Sequence, residues 1–121
     1  MQEPIHILQK KRTRMYVQEG FNMEHERKKG TVTVRVTGEL DHCSAQSIRR
    51  ELDALIAEPG TKRLVLDLQD MTFMDSSGIG VILGRYRELR NRGGDVAVKN
   101  MNPQVERVFT LSGMKQVIQI I

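Results

Sequence analysis

The centre of the chain joins a strand of apolar residues to an amphipathic helix through a short polar turn. Residues 64–68 are nearly all apolar, which is typical of a strand buried on both faces of a parallel sheet. After the turn at residues 75–78, apolar residues recur at helical spacing: Ile79, Ile82, Leu83, Tyr86 and Leu89. A buried strand that leads into such a helix predicts the strand–helix–strand crossover of an α/β fold.

Similar signals on both sides complete the order of elements. Residues 31–37 alternate valine with polar residues, and Lys28-Lys29-Gly30 marks a hairpin turn after a short strand at residues 24–27. In all, helices are predicted at residues 44–57, at 76–91 and after Asn102-Pro103. The later strands are predicted at residues 63–68, 96–98 and 117–121. The order β-β-α-β-α-β-α-β predicts an α/β domain with a small mixed, mostly parallel β-sheet and helices packed mainly on one face.

Residues 1–22 differ from the rest because they show no clear period. The codons of Gln18-Glu19-Gly20 can contain a ribosome-binding sequence, at a usual distance before the codon of Met23. We therefore predict that residues 1–22 are an N-terminal extension, either disordered or the product of a mis-assigned start, and that the domain comprises residues 23–121. The alternative is a genuine basic tail.

The composition excludes several classes of protein. The net charge of +4 suggests nucleic acid, but residues 1–22 hold +2 of it, and the rest has 15 Lys and Arg against 13 Asp and Glu. With only 4% aromatic residues as well, we expect no direct nucleic-acid partner. No apolar stretch is long enough to cross a membrane, so no membrane partner is expected. The single cysteine, Cys43, fits a reducing cytoplasm.

The sequence lacks the constellations that enzymes use. It contains no HExxH, no paired cysteines and no spaced carboxylate cluster, so no metal site is predicted. Ser76 does not lie in a GxSxG elbow, and the glycines form neither a GxGxxG motif nor a P-loop. We therefore expect neither catalysis nor a cofactor.

The turn at residues 75–78 allows two interpretations. Phe73 and Met74 are predicted to pack into the core and so to hold the turn rigid. A serine at the start of a helix commonly serves as an N-cap, and this is the simpler interpretation of Ser76. The same position suits a phosphate, because free N–H groups and the helix dipole favour negative charge there. Asp75 opposes a phosphate by like-charge repulsion.

Two motifs carry a family resemblance. The segments TGELDH at residues 37–42 and FMDSSGIGVILGRY at residues 73–86 resemble the STAS domain of anti-sigma factor antagonists. The resemblance covers nearly all of residues 23–121, including residues 107–109 and 112–113. It implies a partner-switching cycle in which the unphosphorylated protein binds an anti-sigma factor with serine kinase activity and releases the sigma factor. Phosphorylation then ends the binding, and a PP2C-type phosphatase resets the cycle.

The resemblance also assigns roles to residues. It implies that Ser76 is the phosphorylation site, that Asp75 positions the turn or helps the incoming kinase site, and that Ser77 supports the turn. Asp41 is expected to border the same docking surface, which makes the predicted partner-binding residues Asp41, Asp75, Ser76, Ser77 and Gly78. The chain is expected to be a monomer when free. The alternative is a STAS scaffold or phospho-switch module of another stress-response or signalling complex.

Two further features allow a simple interpretation and a functional one. Four arginines follow one another along the second helix: Arg85, Arg87, Arg90 and Arg92. A solvated helix face is the simpler interpretation, and a basic rim that meets an acidic patch on the kinase is the alternative. Cys43 is expected to be a small buried hydrophobe, and a redox sensor is the alternative, which no other feature of the sequence supports.

Overall fold

The computed structural model describes residues 15–18, by their backbone alone, and residues 20–121. The strands are β1 (Met15–Gln18), β2 (Phe21–Lys28), β3 (Thr31–Leu40), β4 (Arg63–Asp67), β5 (Met71–Met74), β6 (Asp95–Lys99) and β7 (Gln119–Ile120). The helices are α1 (Ala45–Ile56), α2 (Ser76–Arg90) and α3 (Pro103–Leu111), followed by a single 3-10 turn at Met114–Gln116. The predicted extension lies mostly outside the described residues, and a start at Met23 stays a prediction.

The strands form one mixed sheet in the order β1-β2-β3-β4-β6-β7, with β5 paired to β3. The pairs β1–β2 and β2–β3 are antiparallel, and all other described pairs are parallel. The predicted hairpin is the pair β2–β3, and its turn contains Lys29, which has a φ of 58°. This topology confirms the predicted mixed, mostly parallel sheet.

Strand β3 is long enough to pair with two strands along one edge. Its residues 31–35 pair with β4, and its residues 38–40 pair with β5 after a register shift between Gly38 and Glu39. Strand β5 therefore lies end to end with β4. It extends the sheet to the place where α2 begins.

The helices pack mainly on one face of the sheet, as predicted. On β3, Val32, Val34 and Val36 are buried whereas Arg35 between them is exposed. The same core takes apolar side chains from β4, β6 and the helices: Leu64, Leu66, Val96, Val98, Ile48, Leu52, Ile56, Val81, Ile82, Leu89, Val105 and Phe109. Burial of each large apolar side chain stabilises the fold by about 1.5–3 kcal/mol relative to exposure.

The structure corrects several details. Strands β1 and β5 were not predicted, and β2 begins at Phe21, which is 3% exposed and belongs to the core. Met74 is buried as expected, but Phe73 is 41% exposed. The burial of β5 does not alternate strictly, because Met71 and Met74 at its ends are buried whereas Thr72 and Phe73 between them are exposed. The last strand is only Gln119–Ile120.

Candidate functional site

Asp75 is the N-cap of α2. Its backbone is extended (φ −122°, ψ −169°), and its carboxylate Oδ1 accepts a hydrogen bond from the backbone N–H of Ser77 at 2.8 Å. Its carbonyl oxygen accepts the N–H groups of Gly78 and Ile79 at 3.0 and 3.3 Å. The interpretation of Ser76 as the cap is therefore wrong, because the capping residue must be the extended one that precedes the first helical residue.

Ser76 is the first residue of α2, and its side chain is exposed. Within residues 20–121, its hydroxyl makes no hydrogen bond to another group of the chain. Ser77 differs, because it is half-buried and its N–H is held by the cap. A group can therefore be added to the Ser76 Oγ without breaking a hydrogen bond among the described residues.

Gly78 allows the first turn of α2 to lie close to the end of β3. A Cβ atom at this position would lie 2.7 Å from Met74 Cγ, 2.8 Å from Leu40 Cγ and 3.0 Å from the Leu40 carbonyl oxygen. Contacts this short require a shift of the neighbouring residues, one of them through its backbone. The role of Gly78 in the turn is therefore steric.

Asp41 and Ser44 form a reciprocal cap before α1. The Asp41 carboxylate Oδ1 accepts the N–H groups of Cys43 and Ser44 at 2.9 and 3.0 Å. In return, the Asp41 N–H donates to Ser44 Oγ at 3.1 Å, and that hydroxyl donates to the Glu39 carbonyl oxygen at 2.7 Å. This reciprocal pattern is like that of a capping box, but it lies in the turn before α1, whose N-cap residue Ser44 makes no side-chain cap hydrogen bond. It holds the loop after β3 in place.

These hydrogen bonds lower the pKa of the Asp41 carboxyl below its ordinary value. The largest cause is the backbone N–H of Ser44, which stabilises the ionised form. Partial desolvation opposes it, while the Cys43 N–H, the Ser44 hydroxyl and the charge of His42 add to it. Asp41 is therefore a carboxylate at neutral pH.

Cys43 itself is exposed, so its predicted burial is wrong.

The two capped turns meet at one end of the sheet. The Asp75 N–H donates to the Leu40 carbonyl oxygen at 3.3 Å, and Asp41 is the next residue along the chain. The five predicted partner-binding residues thus lie on two adjoining turns, at the carboxyl ends of β3 and β5. Crevices at this end of parallel strands are the usual place for ligands and partners of α/β folds.

A groove of about 640 Å³ runs from these turns between α1 and α2. It is lined by His42, Ala45, Gln46, Arg49, Ser77, Gly80, Val81, Gly84 and Arg85. Sequence reasoning missed this groove. Its only signal is the spacing of Gly80 and Gly84, which lie four residues apart on one face of a helix.

The four arginines of α2 and its C-terminal end do not form one surface. Arg85 is 8% exposed, and its Nε lies 2.9 Å from Asp53 Oδ1 on α1. Arg92 donates from Nη1 to the carbonyl oxygen of Ile56, at the C-terminal end of α1, at 2.9 Å. Only Arg87 and Arg90 are exposed. A solvated face and a basic rim of all four arginines are therefore both wrong, because Arg85 and Arg92 contact α1.

Other kinds of site find little support in the described residues. Among them, no three His, Cys, Asp or Glu side chains are grouped so that they could hold a metal ion. None of the helices of residues 20–121 has the length and apolar character that crossing a bilayer requires.

Comparison with known proteins gives consistent matches. Residues 22–121 match the STAS domain family. The chain is 43% identical to an anti-sigma F factor antagonist of Paenibacillus polymyxa over 100 residues, which are 83% of this chain and 84% of the relative. The anti-sigma factor antagonist SpoIIAA in its unphosphorylated form has a similar structure, with a TM-score of 0.72 at 33% identity over 82% of this chain and 87% of that chain. SpoIIAA of Bacillus in the phosphorylated form gives a TM-score of 0.64 at 32% identity, over 82% and 90% of the two chains.

Proposed function

The chain belongs to the STAS domain family, and we propose that it is an anti-sigma factor antagonist controlled by phosphorylation of Ser76. The names of its relatives support the antagonist role, and the family makes it a regulatory protein rather than an enzyme. The unphosphorylated chain binds an anti-sigma factor with serine kinase activity and so releases the sigma factor. Transfer of phosphate from ATP to Ser76 ends this binding. The ATP and Mg²⁺ belong to the kinase.

The observation that carries the proposal is the exposed hydroxyl of Ser76 beside a cap that does not need it. Asp75 already accepts the N–H of Ser77, so the start of α2 is stabilised whether or not Ser76 is modified. A kinase therefore reaches the Ser76 Oγ without unwinding the helix. Ser77 is the poorer acceptor, because it is half-buried and lines the groove.

A phosphate on Ser76 changes the surface more than the fold. It adds a charge of about −1.5 to −2 at neutral pH. The helix dipole favours this charge, whereas the adjacent Asp75 carboxylate repels it and already holds the Ser77 N–H. The charge therefore remains on the docking surface, where burial against a partner would cost its hydration. Dissociation follows from that cost, and a PP2C-type phosphatase restores the binding form.

Phosphorylation of the pure protein tests this proposal. The chain is incubated with ATP, Mg²⁺ and the anti-sigma F factor of the organism that encodes it, and the modified residue is mapped by mass spectrometry. We expect one phosphate on Ser76, none on the Ser76→Ala variant, and unchanged modification of the matched Ser77→Ala variant. Phosphate on Ser77, or no transfer to the wild-type chain, would contradict the proposal.

A further inference from the structure

Two glycines lie in the interior of α2. Gly80 and Gly84 are separated by about one helical turn in this helix of 15 residues. Glycine destabilises the interior of a helix relative to alanine, because it loses more backbone freedom on folding. The presence of two glycines on one face of α2 therefore needs an explanation other than helix stability.

Neither glycine is needed by the fold of the described residues. Apart from its chain neighbours and the nearby backbone of α2 itself, a Cβ atom at Gly80 or Gly84 would meet no atom within 4 Å, and neither has a positive φ. Gly78 is the contrast in the same helix, because a Cβ there would collide with Leu40 and Met74. The absence of side chains at Gly80 and Gly84 instead leaves an open space on the surface of the domain.

That room is the groove between α1 and α2. Both glycines line it, and they expose the bare backbone of α2 opposite Gln46 and Arg49 of α1. A glycine surface of this kind lets the backbone of a partner approach closely. The groove is also continuous with the proposed phosphorylation turn, because Ser77 lines its end.

The charge of the groove indicates the chemistry of the occupant. Arg49 and Arg85 share a single carboxylate, that of Asp53, at distances of 3.7 and 2.9 Å. Arg85 is nine-tenths buried, and its Nη1 donates to the Val81 carbonyl oxygen at 3.4 Å. Within residues 20–121, the Nη2 of Arg85 has no hydrogen-bond partner. Two guanidinium groups against one carboxylate leave a positive charge at the groove.

We propose that this groove binds an acidic segment of the anti-sigma factor. The backbone of that segment packs on Gly80 and Gly84, and one of its carboxylates pairs with Arg49 and the Nη2 of Arg85. This inference rests on the proposed function, because the same partner must also reach Ser76. It adds a second contact that fixes the position of the kinase relative to the hydroxyl.

Substitution of the two glycines by alanine partly fills the groove, and it distinguishes an effect on partner binding from an effect on the stability of the domain. The variants Gly80→Ala and Gly84→Ala are titrated with the anti-sigma F factor of the host, and their urea denaturation is followed in parallel. We expect each variant to be at least as stable as the wild-type chain, since alanine favours a helix and has room at both positions. We expect its affinity to fall roughly tenfold, as for loss of a closely packed contact. A merely structural glycine would give the opposite pattern.

Reversal of one charge tests the chemistry of the occupant. Arg49 is 62% exposed, so Arg49→Glu is tolerated by the fold. We expect this variant to bind roughly tenfold more weakly, with a loss that shrinks at high salt. Arg50→Glu is the matched control, because it changes the same charge on the same helix at an exposed residue outside the groove, and it should bind nearly as the wild-type chain does.

The outcomes distinguish this inference from the function on which it rests. If the wild-type chain binds and is phosphorylated while the groove variants bind equally well, the groove inference is wrong and the proposed function stands. Loss of stability in the alanine variants would also overturn it, because the glycines would then serve the fold. If the wild-type chain neither binds the anti-sigma factor nor accepts phosphate, both are wrong.

Discussion

The backbone N–H of Asp75 donates to the carbonyl oxygen of Leu40 at 3.3 Å. This bond joins the turn before α2 to the end of β3, where Asp41 begins the capped loop before α1. An aspartate thus stabilises each turn: the Asp41 carboxylate accepts the N–H groups of Cys43 and Ser44 just before α1, and the Asp75 carboxylate accepts the Ser77 N–H in the first turn of α2. The exposed Ser76 therefore lies on a surface whose two turns are already held by hydrogen bonds within the domain.

The close approach at Gly78 predicts that Gly78→Ala destabilises the domain. The added methyl group would meet the Leu40 carbonyl oxygen at 3.0 Å and the side chains of Leu40 and Met74 at shorter distances. We expect a loss of about 1–3 kcal/mol in the free energy of unfolding, as for other overpacked sites. Urea denaturation measures it. Gly80→Ala is the matched control, and equal stability of the two variants would contradict the steric role.

The cap at Asp75 predicts a difference between two substitutions. Asp75→Ala removes the acceptor of the Ser77 N–H and should lower the free energy of unfolding by about 1 kcal/mol. Asp75→Asn keeps an oxygen that caps equally well and should retain both stability and the rate of Ser76 phosphorylation. Denaturation and a phosphorylation assay check the pair. If Asp75→Asn keeps its stability but is no longer phosphorylated, the carboxylate acts in the kinase complex and not only as a cap.

The lowered pKa of Asp41 predicts how its contribution depends on pH. The ionised carboxylate is favoured in the folded state by the Ser44 N–H, so its folded pKa lies below the unfolded value of about 4. The stabilisation is therefore fully present above pH 4 and is lost as the pH falls through the folded pKa. Denaturation of the wild-type chain and of Asp41→Asn at pH 7 and pH 3 measures it. We expect the difference between the two proteins to shrink at pH 3, and a constant difference would contradict this account.

The regular elements were predictable because their signals are local. The alternation of Val32, Val34 and Val36 gave β3, and the helical stripe from Ile79 to Leu89 gave α2. Strand β5 was missed because its four residues become a strand only through pairing with β3, more than thirty residues earlier. Local signals cannot reveal such a pairing.

The site was predictable in its position and less so in its details. The turn at residues 75–78 stands out in the sequence, but the choice between Asp75 and Ser76 as the cap depends on the backbone angles of one residue. The choice of Ser76 as phosphoacceptor came from the family resemblance. The spacing of Gly80 and Gly84 was visible, whereas the open groove beside them depends on where α1 packs.

The proposed switch at Ser76 predicts opposite behaviour of two variants. Ser76→Ala removes the phosphoacceptor but no contact of the domain, so it should bind the anti-sigma factor as the wild-type chain does and resist inactivation by ATP. Ser76→Asp places a carboxylate on the docking surface beside Asp75, where burial costs its hydration, and it should bind at least roughly tenfold more weakly. Thr110→Asp adds the same charge at an exposed residue of α3 and serves as the control. Titration with the anti-sigma factor, and release of its sigma factor in the presence of ATP, measure both effects. If Ser76→Asp releases the sigma factor as well as the wild-type chain does, negative charge at Ser76 is not the switch.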